Sequence, residues 1–177
     1  MAYTFNLIES VTVGSGGSAT IAFTSIPQTY TDLYIYISAR GANNSNADTI
    51  FGRFNNSSSG YVNKVFYGET IGAGSFGNTI AYFHTGYISA SNSTANSTNT
   101  FSNNEIWIPN YTSSKYKTVS ATSVKEANFS VYQAAIQSLH ACEWSNAAAI
   151  TSITLTTEST NNYSQYSTAY LYGIKNS

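Results

Sequence analysis

Leu33-Tyr34-Ile35-Tyr36-Ile37-Ser38-Ala39-Arg40 is the stretch whose reading decides the fold. Leu33, Ile35, Ile37 and Ala39 alternate with Tyr34, Tyr36, Ser38 and Arg40, which is the period of a strand buried on one face. Apolar residues at every second position would spread around a helix and share a face only in a strand. Residues 32–40 are therefore expected as a strand with its tyrosines on the face away from the core.

The same period extends outward in both directions. Tyr3, Phe5 and Leu7 share one face of an opening strand, and Ala19, Ile21 and Phe23 share a face of the next. Further strands are expected at 49–55, 61–67, 79–88, 101–108, 115–124, 150–157 and 167–175, where Thr, Tyr, Phe, Ile and Val concentrate. Residues 131–144 fit two patterns. Val131, Ala135, Leu139 and Cys142 would line a helix, while Tyr132, Ala134, Ile136 and Ser138 would share a strand face. The strand is favoured because every neighbouring segment is β.

Turn-forming residues separate these runs. Gly14-Ser15-Gly16-Gly17 reads as a hairpin connection, Pro27 as the end of a strand, and Pro109-Asn110-Tyr111-Thr112-Ser113 as a turn between two strands. Ala42–Asp48, Asn55–Gly60 and Ser89–Asn99 read as polar loops. The resulting expectation is all-β: one domain over 1–177, an antiparallel β-sandwich of jelly-roll type with about 8–11 strands. Residues 1–6 are a candidate extended N-terminal arm.

Composition narrows the function. The chain of 177 residues has 7 basic and 8 acidic residues, 8% charged in all, where an ordinary domain has about 25%. In their place stand 27 Ser, 22 Thr and 19 Asn, more than a third of the chain. Net charge −1 and scattered lysines give no footprint for nucleic acid, which is held by Lys and Arg against phosphate. A content of 42% hydrophobic residues argues against disorder. Apolar runs of four or five residues are far short of the ~20 that span a bilayer as a helix. The start Met-Ala-Tyr-Thr-Phe-Asn does not read as a secretory leader, so synthesis in a cytoplasm is expected, with no membrane partner. Cys142 is the single cysteine and has no disulfide partner within the chain.

Catalytic patterns are weak. His140-Ala141-Cys142 puts imidazole and thiol on one strand face, but His84 is the only other histidine, and zinc wants about four such ligands. A buried thiol beside a hydrogen-bonded histidine is the plainer reading. The eight carboxylates show no local dyad, and no Gly-x-Ser-x-Gly elbow is present. Gly72-Ala73-Gly74-Ser75-Phe76-Gly77 matches dinucleotide-binding spacing, but Thr79-Ile80-Ala81-Tyr82-Phe83 follows as strand where that motif needs a helix. It is read as a flexible connection. No enzymatic activity and no cofactor or metal are expected.

The aromatics say more. With 15 Tyr, 9 Phe and 2 Trp, the chain is rich in side chains that offer large contact area at low entropic cost. Tyr3, Phe5, Tyr34, Tyr36, Trp107, Tyr111 and Tyr116 are the candidates for subunit contact or glycan stacking. Trp107, Tyr111 and Tyr116 fall around one turn, and Tyr163, Tyr166, Tyr170 and Tyr172 crowd the last strand.

Several phrases carry a resemblance. These are Glu9-Ser10-Val11-Thr12-Val13-Gly14-Ser15-Gly16-Gly17, Phe23-Thr24-Ser25-Ile26-Pro27-Gln28-Thr29-Tyr30-Thr31-Asp32-Leu33 and Glu105-Ile106-Trp107-Ile108-Pro109-Asn110-Tyr111. Ala148-Ala149-Ile150-Thr151-Ser152-Ile153-Thr154-Leu155 and Leu171-Tyr172-Gly173-Ile174-Lys175 complete the set. Together they resemble a family of small β-rich virion structural proteins of tailed bacteriophages, over both ends and the middle but weakly between 41 and 100. The resemblance implies a capsid decoration, or cement, protein: a homotrimer on the outer shell, bound to the major capsid protein and made in the host cytoplasm. The alternative is a tail or fibre module that binds host surface glycan.

Overall fold

In the computed structural model, which describes residues 4–43, 47–69, 72–90, 99–126, 135–158 and 161–175, the deciding stretch is the strand Asp32–Gly41. Leu33, Ile35, Ile37 and Ala39 are fully buried, and Tyr34 and Tyr36 stand half-buried on the other face. Alternation thus sets which side of this strand meets the core.

Twelve strands form among the described residues, and no helix. In chain order they are β1 (Thr4–Thr12), β2 (Thr20–Phe23), β3 (Asp32–Gly41), β4 (Ala47–Phe54), β5 (Tyr61–Glu69) and β6 (Gly72–Ile80). There follow β7 (Phe83–Ala90), β8 (Ser102–Ile108), β9 (Lys117–Glu126), β10 (Ala135–Trp144), β11 (Ile153–Thr157) and β12 (Thr168–Lys175). Eight lie in one sheet, in the order β1-β12-β3-β8-β9-β10-β5-β6. Four lie in another, β2-β11-β4-β7.

The sheets meet where Arg40 and Gly41 of β3 pair in parallel with Ser89 and Ala90 of β7, and every other strand pair is antiparallel. β7 lies across β8, β9 and β10. The protein is therefore all-β and sandwich-like, with one continuous mixed sheet folded into two layers. A jelly roll divides eight strands between two sheets; here the division is eight and four.

The core lies between the layers. Phe54 stacks on Phe83 at 4.5 Å between ring centroids and meets Trp144 at 5.5 Å, and Tyr61 stacks on Trp144 at 6.0 Å. The Tyr61 hydroxyl accepts the Phe54 backbone N–H at 2.8 Å, so this buried phenol is not left unpaired.

Four local expectations are revised. The Gly14–Gly17 turn does not close a hairpin: β1 pairs β12 and β2 pairs β11, so the turn carries the chain from one layer to the other. Gly72–Gly77 is not a flexible connection but most of β6, paired residue for residue with β5. The expected strand 79–88 is two, because the chain turns at Ala81 and Tyr82 between β6 and β7. Thr4–Asn6 is no free arm, since it pairs with Lys175–Gly173, while residues 1–3 lie outside the described residues. The ambiguous 131–144 is strand from Ala135 onward, and 131–134 lie outside the described residues.

Candidate functional site

Directly paired residues of neighbouring strands share a face, so the register defines what the eight-stranded sheet shows outward. One row runs Leu7, Tyr172, Tyr34, Trp107, Ser120, Ala141, Lys64, Gly77 from β1 to β6. Its neighbour runs Ser10, Tyr170, Tyr36, Glu105, Thr122, Leu139, Phe66, Ser75. Within these two rows only Lys64 and Glu105 carry charge. The opposite face of the same strands holds Leu33, Ile35, Ile37, Ile106, Ala169 and Leu171, all buried.

The aromatic half of this outer face is a connected group. Phe5 meets Tyr34 edge-on at 5.6 Å and Tyr172 at 6.2 Å, and Tyr34 meets Trp107 at 6.1 Å. Phe5 is 50% and Leu7 55% exposed. Edge-to-face pairs of this kind each contribute about 0.5–1.5 kcal/mol beyond burial, which holds the rings in a fixed surface. Tyr34 hydrogen-bonds to the Glu105 side chain. Burial first, then that bond and the carboxylate's charge, raise the Tyr34 phenol well above its ordinary value, so it stays a neutral donor. The other half is apolar but, among the described residues, has no connected group of rings: Val124, Leu139 and Phe66 are half-exposed or more and border an open cleft of about 740 Å³.

Of the residues proposed from sequence, Phe5, Tyr34, Tyr36 and Trp107 come together on this face. Tyr3 lies outside the described residues. Tyr111 does not belong to the surface: it is fully buried and donates its hydroxyl to the Pro27 carbonyl. The turn between β8 and β9 folds it inward, so Trp107, Tyr111 and Tyr116 do not form one cluster. Tyr116 is 60% exposed in the connection before β9. There the buried Lys117 ammonium donates to the Ser113 carbonyl at 2.8 Å and to the Lys115 carbonyl. Tyr163 is fully buried, whereas Tyr170 and Tyr172 join the outer face.

Sequence reasoning missed the polar seam between the layers. Beyond its parallel pairing with β3, β7 presents backbone N–H groups toward the larger sheet. Those of His84, Tyr87 and Ser89 donate to Asn63 Oδ1 (2.9 Å), Ser123 Oγ (3.0 Å) and Ser102 Oγ (2.6 Å). Buried N–H groups need acceptors, so the inward positions of β5, β8 and β9 carry Asn and Ser where aliphatics would leave β7 unsatisfied. Ser123 continues to Ser138 (2.6 Å) and Ser138 to His140 Nε2 (2.7 Å).

His140 and His84 face each other across this seam, ring centroids 6.2 Å apart and 20° from parallel. Burial pushes the His84 imidazole down to about 4, and burial together with the His84 charge pushes His140 down to about 3. Cys142 lies on the same inward face, a free thiol pushed up to about 12 chiefly by burial. The plainer reading of His140 and Cys142, a hydrogen-bonded histidine near a buried unreactive thiol, matches this geometry. Among the described residues no three His, Cys, Asp or Glu side chains converge as metal ligands. The outer face has no imidazole or thiol in its two rows; what it offers is contact area with hydroxyls attached. Neither the protein-family models nor the curated proteins contain a match to this chain.

Proposed function

We propose that this chain is a non-enzymatic virion structural protein that docks flat on a protein shell. In this reading it is a decoration protein of a tailed phage, seated on the major capsid protein. The observation that carries the docking is the outer face of the eight-stranded sheet, where Phe5, Leu7, Tyr34, Trp107 and Tyr172 form a fixed aromatic surface with little charge. The phage shell as partner rests on the resemblance of the segments around Glu9–Gly17, Phe23–Leu33, Glu105–Tyr111 and Leu171–Lys175. Interfaces are enriched in Tyr, Trp and Phe and depleted in charge at their centres, which is the composition of this face.

Co-sedimentation with expanded capsids that lack the protein tests the reading. Tyr34→Ala and Trp107→Ala are each expected to weaken binding about 30-fold or more, the loss of a central aromatic anchor. Thr20→Ala, exposed on β2 of the smaller sheet, is expected to leave binding unchanged. Raising salt from about 0.15 M to about 1 M shortens the screening length from roughly 8 to 3 Å, yet binding is expected to change little because few charges take part. Failure of the wild-type chain to bind capsids contradicts the reading.

A glycan-binding tail module is the second reading. It is favoured by the placement of the Glu105 carboxylate beside the Tyr34 and Trp107 rings, an acceptor next to a stacking platform. Selective binding on a glycan array, lost in Trp107→Ala, would replace the first reading with this one.

A further inference from the structure

Among the described residues the two sheets have three free strand edges, and these are finished differently. β1 has a register shift between Leu7 and Glu9 and carries the Glu9 carboxylate. β2 is only four residues long. β6 has neither protection: its nine residues pair with β5 without a register shift, and Gly72–Ile80 contains no charge and no proline. An exposed edge is a row of unpaired N–H and C=O groups that templates another strand, and native edges are normally blunted by bulges, charge, proline or shortness. The charged side chains beside this strand, Lys64 and Glu69, belong to β5 and not to β6: Glu69 is paired with Gly72, and the Lys64 stem covers the position of Gly77 while its ammonium sits 5.8 Å from the centre of the Phe66 ring.

The strand is also compatible with itself. About Phe76 as centre, antiparallel pairing sets Phe76 against Phe76 of a second copy, Ser75 against Gly77, Gly74 against Asn78 and Ala73 against Thr79. Every pair is neutral, and apart from the central ring every pair contains Gly or Ala. Phe76 itself is half-covered by its own chain, edge-on to His84 at 5.5 Å; a second strand alongside would cover more of it.

We propose that two copies of this chain join through β6, antiparallel about a twofold axis at Phe76, so that their eight-stranded sheets become one. This does not depend on the docking reading, because the aromatic face lies at the other end of the sheet. An interface of one strand pair is smaller than a standard-size one, so the dissociation constant is expected to be on the order of micromolar. The pairing is isologous and closes at two copies, not three.

Analytical ultracentrifugation of the full chain from micromolar to millimolar concentration tests it. The expected result is a mass moving from one chain to two. Ala73 and Thr79 are exposed, so A73K/T79K leaves the core intact while placing lysine against lysine at both ends of the pairing. A73K/T79K alone and A73E/T79E alone are each expected to stay monomeric at concentrations where the wild type is dimeric, and mixing the two in equal amounts is expected to restore the dimer. A wild-type mass of one chain throughout, a mass of three chains, a dimer that persists in A73K/T79K, or a mixture that stays monomeric would each overturn the proposal.

Discussion

Acidification from pH about 7 to about 5 is expected to remove several kcal/mol of folding stability, with His84 and His140 as the source. In the unfolded chain both imidazoles take up protons as pH falls through about 6.5. In the folded chain they resist until about 4 and about 3, so between these values the unfolded state binds more protons. Stability is therefore complete above the ordinary histidine value, falls as pH drops below it, and stops falling once the folded groups protonate as well.

Each histidine contributes at most about 1.4 kcal/mol per pH unit within that window, and solvent screening reduces the share of His84. The physical cause is visible at the seam. His84 Nε2 and His140 Nδ1 have no hydrogen-bond partner, and the two rings are stacked, so protonating both would leave two like charges buried face to face without acceptors. Urea unfolding at a series of pH values measures this. The midpoint is expected to drop steadily below pH about 6.5, and in His140→Phe the slope is expected to fall by about half whatever that variant does to stability at neutral pH. A wild-type midpoint unchanged between pH about 7 and about 5 contradicts the assignment.

Gly86→Ala is expected to cost about 3–5 kcal/mol, a large part of the 5–15 kcal/mol of a typical domain. Gly86 has φ +148°, a backbone conformation that side-chain-bearing residues rarely adopt. A methyl group there would lie 2.3 Å from Asn104 Nδ2 and 2.3 Å from Ser123 Cβ. The position is next to a register shift in the pairing of β4 with β7, where Ile50 faces Gly86 and Phe51 faces His84. β7 approaches the larger sheet closely enough there for the Tyr87 N–H to reach Ser123. A methyl forces the strand away and breaks that bond along with its neighbours. Gly68→Ala is the control, since a Cβ at Gly68 meets nothing within 4 Å. Denaturant unfolding of both variants is expected to separate them by at least about 2 kcal/mol, and equal midpoints contradict the close-approach argument.

Much of the fold was legible because most strands alternate cleanly. β3 and β12 put aliphatics inward and aromatics or polar residues outward, as period two requires. Legibility failed where physics beyond alternation decides. β6 reads as a loop because glycine lacks a side chain to alternate and is depleted in strands, yet pairing with β5 holds it straight. The turn at Ala81 and Tyr82 is hidden inside a run of apolar residues that looks continuous. β9 and β10 partly invert the usual pattern, with Ser123, Ser138 and His140 inside and Val124 and Leu139 outside, because the acceptors for β7 have to stand on the inner face. Tyr111 reads as a surface residue because it sits in a polar turn, and only the approach of Pro27 from another part of the chain shows where its hydroxyl goes.

The candidate site was half legible. Tyr34, Tyr36, Phe5 and Trp107 could be named from their strand positions, because outward placement follows from period two. Their meeting could not, because it requires β1 to reach β3 through β12, the last strand of the chain. Long-range register of this kind has no local signal.

The central claim is that the outer aromatic face seats this protein on a capsid. Imaging expanded capsids that lack the protein, before and after its addition, tests this most directly. The account predicts new density on the outer shell with Phe5, Tyr34, Trp107 and Tyr172 turned toward the capsid surface. Unchanged capsids, or a bound protein that turns this face to solvent, would contradict it.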